Sequence, residues 1–476
     1  MDKFTQNTTP LYVDLDGTFI KADMLYESLV IALKTNPLII FMCVFWLAKG
    51  KAHLKYKLSQ LADISTGSLP LNTSFHSFLI GEKEKKRKII LATASNEKYA
   101  KDVCSNFDLF DSFICSDEHT NLKGKSKLLK IQSLSERFSY AGNSSEDFII
   151  FKASTESILV NPTNKAKKMA LKVPTTLTFD DDIVGIKVWF KQLRVHQWIK
   201  NILIFVPLLV TGKFLSLDYI LLSTLGFLSF SSLASATYII NDLLDLSSDR
   251  NHDRKKSRPL AAGTISIINA KIVALILLIF AFCVALSMGG LFVYVLSLYL
   301  VLTLAYSFKI KQYICMDVIA LASLYTIRII AGATILNVSV SFWLLSFSMF
   351  IFLSLAFIKR CAELKSLHEQ GRSETPGRDY LVSDYSVLMS LGTSSAMLSV
   401  LMFCFYINSN VLVDQYQEPI LLWLAVPALC YWNMRMWIKT HRGEMHDDPV
   451  VFSLKDKGSH VTIGFIGFTA FLAQIL

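Results

Sequence analysis

The sequence predicts two fold classes in one chain. An N-terminal α/β domain, a parallel sheet with a cap, precedes an all-α polytopic membrane domain with nine transmembrane helices. Three observations predict this. First, 52% of the 476 residues are hydrophobic, 18% are charged and mean hydropathy is +0.42, whereas soluble domains carry about 25% charged residues. Such a chain is neither disordered nor an ordinary soluble enzyme. Second, residues 1–182 hold 24 Lys+Arg and 21 Asp+Glu. Residues 183–476 hold 24 and 17, with almost every long apolar run. Third, apolar segments in the first part each end in a polar turn, as strands of an open α/β sheet do.

The first domain covers residues 1–170, with a cap at about 25–80. Residues 1–10 are polar and lack the apolar stretch of a secretory signal. Residues 10–20 read as a buried strand turning sharply at Asp14-Leu15-Asp16-Gly17-Thr18. Ile89–Ala92 is a second strand, ending in Thr93-Ala94-Ser95. Phe138–Ala141 is a third, ending in Gly142-Asn143-Ser144-Ser145-Glu146-Asp147. Leu38–Ala48 is apolar but only eleven residues long, too short to span a bilayer. It reads as a cap helix lying against the membrane.

Residues 171–198 read as a linker with an interfacial amphipathic helix (Trp189, Phe190, Leu193, Val195, Trp198). The membrane domain, 199–476, offers nine apolar segments near 199–211, 218–240, 267–287, 289–308, 316–336, 341–358, 386–407, 419–438 and 459–476. Alternate loops carry the basic residues: Arg250 to Arg258, Lys309 and Lys311, Lys359 to Arg378, and Lys439 to Lys457. The opposite loops hold Lys213 alone. Positive loops face the cytoplasm, so the expected location is the cell inner membrane with the N-terminal domain cytoplasmic and Leu476 on the far side. The net charge of +10 is then topology and lipid contact, with no basic stripe of interleaved aromatics for nucleic acid. Eight scattered cysteines read as buried thiols rather than metal ligands.

Two carboxylates two residues apart beyond a strand end can share one Mg²⁺. Asp14 then attacks phosphorus, and Asp16 protonates the leaving oxygen and later activates water. Thr93 can bind the phosphate and Lys127 neutralise it. The ordered set resembles the haloacid dehalogenase superfamily of phosphatases over residues 8–165. The DxDGT motif matches Asp14–Thr18, and the Thr/Ser and Lys motifs match Thr93 and Lys127. The fourth motif, usually GDxxxD, reads Gly142-Asn143 through Asp147. The resemblance implies metal on Asp14, Asp16, Asn143 and Asp147, weakened because the Asn143 amide brings no charge.

In the membrane domain Asn241, Asp245 and Asp249 recur every four residues at the end of the second span. On a helix they share a face, and intramembrane or juxtamembrane acids mark function. Three oxygen ligands suit Mg²⁺, and Lys255, Lys256 and Arg258 suit a polyphosphate. Asn241-Asp242-Leu-Leu-Asp245-Leu-Ser-Ser-Asp249 resembles the NDxxDxxxD motif of the UbiA superfamily of intramembrane prenyltransferases, over about 185–476. That family's second motif, DxxxD, is altered: Asp317 is present, but Leu321 replaces the second acid, with Lys309, Lys311 and Arg328 nearby.

Fewer acids and more cations suit two phosphorylated substrates. The pattern resembles the decaprenyl-phosphate phosphoribosyltransferase branch through Gln197–Asn201, Arg258-Pro259, Ala305–Ser307, Arg328–Gly332, Lys359–Leu364, and Asp447–Phe452 with Asp456. It departs at Asp253 and Lys256, where the branch tends to have Pro and Arg. The resemblance implies Mg²⁺ on Asn241, Asp245 and Asp249 holding phosphoribosyl diphosphate, with Asp242 orienting it. Polyprenyl phosphate in the bilayer is the acceptor. Lys200, Asn201, Lys255, Arg258, Asp317 and Arg328 are the implied substrate-binding residues, and Asp242 and Asp245 the catalytic ones. Two alternatives stand beside this. One is a prenyl diphosphate-dependent aromatic or quinone-precursor prenyltransferase. The other is a lipid-binding membrane protein with an inactive phosphatase-like domain.

Overall fold

The computed structural model describes residues 9–36, 38–170, 175–180, 185–375, 378–409, 416–445 and 448–475. Asp447 and Leu476, both singled out above, lie outside the described residues. The chain divides into two compact units: Met1–Leu193 with Ile239–Val273, and Arg194–Tyr238 with Ala274–Leu476.

The first unit is built on six parallel strands: β1 (Leu11–Val13), β2 (Ile89–Asn96), β3 (Ser112–Ser116), β4 (Ser139–Gly142), β5 (Glu156–Val160) and β6 (Leu177–Phe179), in the order β3-β2-β1-β4-β5-β6. β1 is central, with Leu11 opposite Ile89 on one side and Ser139 on the other. Alternate residues bury opposite faces. Leu11, Val13 and Leu15 pack with Phe75 and Leu79, while Tyr12 packs with Phe138, Tyr140 and Ile150. The chain reverses direction across the sheet between β1 and β4, where open α/β sheets form their crevice. Three of the six strands, β1, β2 and β4, are legible in the sequence. β6 arises inside 171–198, read as linker, because Thr176-Leu177-Thr178-Phe179 pairs along β5.

Helices α1 (Met24–Thr35), α2 (Ile39–Ala48), α3 (Lys51–Leu61) and α4 (Thr73–Glu84) fill the interval between β1 and β2, the expected cap region. On α2, Phe41, Val44 and Phe45 are each at least 66% exposed. The remaining helices of this part are α5 (Glu97–Asn106), α6 (Lys125–Leu134), α7 (Phe148–Ala153), α8 (Asn164–Ala170) and α9 (Ile186–Gln192).

The second unit is helical. Val195–Phe205 winds in tight 3₁₀ turns and leads into α10 (Val206–Val210). Then follow α11 (Leu217–Leu244), α12 (Leu246–Arg250), α13 (Ile267–Met288), α14 (Gly290–Phe308), α15 (Met316–Leu336), α16 (Phe342–Glu369), α17 (Tyr385–Ile407), α18 (Ala425–Arg442), α19 (Pro449–Ser453) and α20 (Lys457–Ile475). Of these, α12 and the ends of α11 and α13 that meet it belong to the first unit. Buried Ser229, Ser231, Ser232 and Ser235 line α11. Small side chains of this kind let transmembrane helices approach closely. Leu275, Ile276 and Ile279 on α13, and Leu298 and Val301 on α14, face outward, as lipid-facing residues do.

Among the described residues seven helices are long and apolar enough to cross a membrane, or eight if the bent pair Ile186–Gln192 and Val195–Val210 is one span. Nine were expected, and these described helices account for seven or eight of them. The shortfall is at 419–438, where α18 carries Asn433, Arg435, Lys439 and Arg442. Its apolar face packs on neighbouring helices, with Trp432, Met436 and Trp437 buried.

Candidate active sites

In the first unit the end of β1 delivers Asp14 between the ends of β2 and β4. Lys127 Nζ donates to Asp14 Oδ1 at 2.8 Å and to the Tyr140 hydroxyl at 3.1 Å, and stands 4.0 Å from Asp147 Oδ1. Tyr140 OH donates to Asp147 Oδ1 at 3.0 Å, and the Ser144 amide and hydroxyl hold the other oxygen. Asp16 accepts from the Met24 amide at 2.9 Å and the Ser95 hydroxyl at 2.7 Å. Thr93 is fully buried and accepts from the Ser95 amide at 2.9 Å. Gly17 (φ +74°) passes so close to Asn143 that a Cβ would lie 2.0 Å from its amide nitrogen. The expected residues Asp14, Asp16, Thr93, Lys127, Asn143 and Asp147 thus gather at one edge of the sheet.

Burial pushes Asp14 up to about 6, against the pull of Lys127 and with repulsion from Asp147 adding to it. Asp16 is likewise pushed up to about 6 by burial and then by Asp23. Burial opposes the charge of Lys127, but Asp14 and Asp147 outweigh it and hold the lysine above its ordinary range. Acids whose ionisation is opposed by burial gain from a cation beside them, as a metal-assisted phosphoryl pocket requires. Ser95, Tyr140 and Lys55 were not foreseen. Lys55 reaches in from α3, with Nζ donating to the Ala94 carbonyl at 2.7 Å.

The acidic motif in the first unit differs from the expected column. α11 stops at Leu244, and Asp245 sits at the break with φ −96° and ψ 9° before α12. Asn241 and Asp245 are half-buried; the buried acids are Asp242 and Asp249, seven residues apart. Arg258 bonds both, at 3.1 Å to Asp242 and 2.5 Å to Asp249. Gln192 donates to Asp242 at 2.9 Å, and Lys255 stands 3.8 Å from Asp249 Oδ1. That oxygen is buried and receives no hydrogen bond among the described residues, an open acceptor that fits a cation. No group of three or more His, Cys, Asp or Glu among the described residues converges as a metal cage. Such an arrangement still suits Mg²⁺, which takes one or two carboxylates and completes its shell with water and substrate phosphate.

The second unit buries cations. Lys200 Nζ lies 2.7 Å and Lys359 Nζ 3.4 Å from Asp448 Oδ2. The two lysines outweigh the burial of Asp448 and hold its carboxyl down at about 2. Arg328 on α15 is 5% exposed. It donates to Asn201 Oδ1 at 2.7 Å, to the Tyr299 hydroxyl at 3.1 Å and to the Leu324 carbonyl. Phe230, Tyr299 and Tyr325 surround its guanidinium at 5.0 to 5.5 Å. Among the described residues no carboxylate pairs with it. Lys200 faces the Tyr325 ring at 5.7 Å. Gly332, one turn on, fixes the register, since a Cβ there would lie 2.0 Å from the Ile204 carbonyl oxygen. Asn201 is buried between Ser231 and Arg328, so it orients the arginine rather than facing open space.

Asp317, expected to bind substrate, is fully buried. It pairs with Arg360 at 2.7 Å and accepts from the Tyr380 hydroxyl at 2.5 Å. Its charge is matched within the fold. Asp448, Lys359, Tyr299 and Tyr325 complete this cluster; the first two belong to the motifs Asp447–Phe452 and Lys359–Leu364, and nothing in the spacing of the two tyrosines marks them.

The profile of the UbiA prenyltransferase family matches residues 202–456. Protein y4nM of Sinorhizobium fredii is 36% identical over 456 residues, covering 94% of this chain and 88% of that protein. Nodulation protein NoeC of Azorhizobium caulinodans is 34% identical over 271 residues, 57% of this chain and 88% of that protein. Decaprenyl-phosphate phosphoribosyltransferase of Mycobacterium tuberculosis is 33% identical over 217 residues, 45% of this chain and 71% of that protein. With a profile match spanning more than half its length, a buried cationic cluster and several membrane-spanning helices, the chain belongs to the UbiA prenyltransferase family.

Proposed function

We propose that this chain moves 5-phosphoribose from 5-phosphoribosyl-1-diphosphate to a polyprenyl phosphate, and that its N-terminal domain then removes the ribose 5-phosphate. One observation carries the first half. Arg328, buried and without a carboxylate partner among the described residues, belongs to a unit where Lys200 and Lys359 share the single Asp448. A buried cation without a counter-charge is costly unless an anion joins it. Asp317, the remaining acid of the family's second motif, is matched by Arg360. This unit therefore favours phosphorylated ligands over metal. The similarity to decaprenyl-phosphate phosphoribosyltransferase supports the same donor and acceptor.

In the transfer, a phosphate oxygen of the lipid attacks the anomeric carbon, the bond from that carbon to the diphosphate breaks, and pyrophosphate leaves. Arg328 and Lys200 stabilise phosphate charge in a water-poor setting. Asp242 holds Arg258 in place. Asn241, Asp245 and Asp249 would hold Mg²⁺ beside the departing diphosphate, and Asp14, Asp16, Asn143 and Asp147 would hold it beside the phosphoryl group, where the ion would supply positive charge. In the sheet pocket an Asp14 oxygen attacks phosphorus, the P–O bond to ribose breaks, and the departing oxygen takes the proton of Asp16. Water then attacks the aspartyl-phosphate, returns a proton to Asp16 and releases inorganic phosphate. The site lies at the cytoplasmic face of the inner membrane, with the apolar surface of α2 in the lipid interface.

The test is direct. Purified protein, Mg²⁺, polyprenyl phosphate and ribose-labelled phosphoribosyl diphosphate are expected to give lipid-soluble ribose, first phosphorylated and then not. Prenylation of an aromatic acceptor from polyprenyl diphosphate, with no ribose transfer, overturns the reading. If the ribose keeps its phosphate, only the second step fails.

A further inference from the structure

The acidic motif belongs to the same compact unit as the parallel sheet, and one helix of the cap touches both candidate centres. α1 begins beside Asp16: the Met24 amide donates to Asp16 Oδ1 at 2.9 Å, and Asp23 caps the helix through the Leu25 amide. One turn later Glu27, 3% exposed, takes Arg250 in a two-pronged pair at 2.6 and 3.0 Å. Arg250 follows Asp249 directly, and its Nε donates to the Ala261 carbonyl at 3.2 Å. The last turn of α1 places Lys34 Nζ 3.6 Å from Asp245 Oδ1. Two further contacts seat the segment: Lys271 over the Tyr26 ring at 5.2 Å, and Gly263, where a Cβ would lie 2.7 Å from that of Lys21.

A bidentate Arg–carboxylate pair fixes orientation as well as distance. Because this one is almost fully buried, removing either partner leaves the other charge unmatched. We infer that Glu27 and Lys34, residues of the N-terminal domain, are positioning residues for the transferase's acidic motif, so that the two reactions share one helix. Glu27 sets the turn that carries Asp249 by holding Arg250. Lys34 occupies the surroundings of Asp245 and competes there with a divalent cation. The inference rests on the reading of that motif as the transferase's metal site.

Full-length protein separates the possibilities. Glu27→Arg and Arg250→Glu are each expected to lower ribose transfer by about 10–100-fold, the usual cost of losing a group that orients metal ligands. The double exchange is expected to return most of it. Glu27→Gln, the milder change, is expected to raise the Mg²⁺ needed for half-maximal transfer. Lys34→Met is expected to tighten Mn²⁺ binding, read by electron paramagnetic resonance without turnover. Transfer and Mn²⁺ affinity within twofold of the parent in both Glu27→Gln and Lys34→Met overturn the inference. Asp245→Asn is the control: if it leaves transfer intact, the reading of the motif fails instead.

Discussion

The sheet pocket and the helical cluster bury charge of opposite sign. In the pocket, Lys127 pairs with Asp14 and stands near Asp147, Asp16 accepts from Ser95, and burial holds Asp14 and Asp16 at about 6. In the cluster, Lys200 and Lys359 share Asp448, and Arg328 pairs with no carboxylate among the described residues. The first region is short of positive charge, and the second of negative. Since an unmatched buried charge is expensive, each imbalance indicates what the site takes up, a cation in one and phosphate in the other. Asp317 shows the opposite case, a buried acid paired with a buried arginine.

The comparison can be broken at either end. The largest effect is expected for Asp14→Asn, which removes the nucleophile: phosphate release should fall by on the order of 10³-fold or more while ribose transfer stays within twofold. A parallel loss of transfer would mean the two regions do not work separately. Next is Arg328→Lys. It keeps the charge but cannot bond Asn201 and Tyr299 together, so transfer should fall about 10–100-fold in initial-rate assays. Unchanged rates would show that charge alone suffices. Asn143→Asp sharpens the cation side. An added carboxylate should lower the Mg²⁺ required for phosphate release about tenfold, read from metal titration of the rate.

The smallest effect concerns pH. Asp16 sits at about 6 in the fold against an ordinary 3.8. Between those values the native state holds the extra proton, so stability falls as pH rises through that window. In EDTA, Asp16→Asn should therefore unfold about 2–4 °C above the parent at pH 7.5, with the two curves meeting below about pH 4. A gap that widens in acid would reverse the sign assigned to this carboxylate.

Much of the sheet pocket was legible because its residues belong to short motifs at strand ends, and parallel strands bring such ends together. Ser95 and Tyr140 were not legible. Their roles come from which strand lies beside which, and β2 and β4 flank β1 only in the folded sheet. The acidic motif was legible as a set of residues but not in its phase. Helical spacing predicts Asn241, Asp245 and Asp249 on one face, and the break at Asp245 turns Asp242 and Asp249 inward to Arg258 instead. Arg328 was visible as a charge in an apolar run. Its aromatic surroundings were not, since Phe230 and Tyr299 arrive from two other helices. Of the nine spans read from hydropathy, seven or eight meet the length and apolarity of a span among the described residues, and α18 falls short because it mixes an inward apolar face with Arg435 and Lys439.

The contact of Gly332 with the Ile204 carbonyl bears on how the protein is made. Val195–Phe205 is wound in 3₁₀ turns, a geometry that rarely persists unsupported beyond a few residues and that lipid does not tolerate unless protein covers it. Its partner Arg328 lies 127 residues further along the chain, a separation that takes about 6–25 s to synthesise at ordinary rates. The first membrane-entering segment is therefore inserted early and finished late.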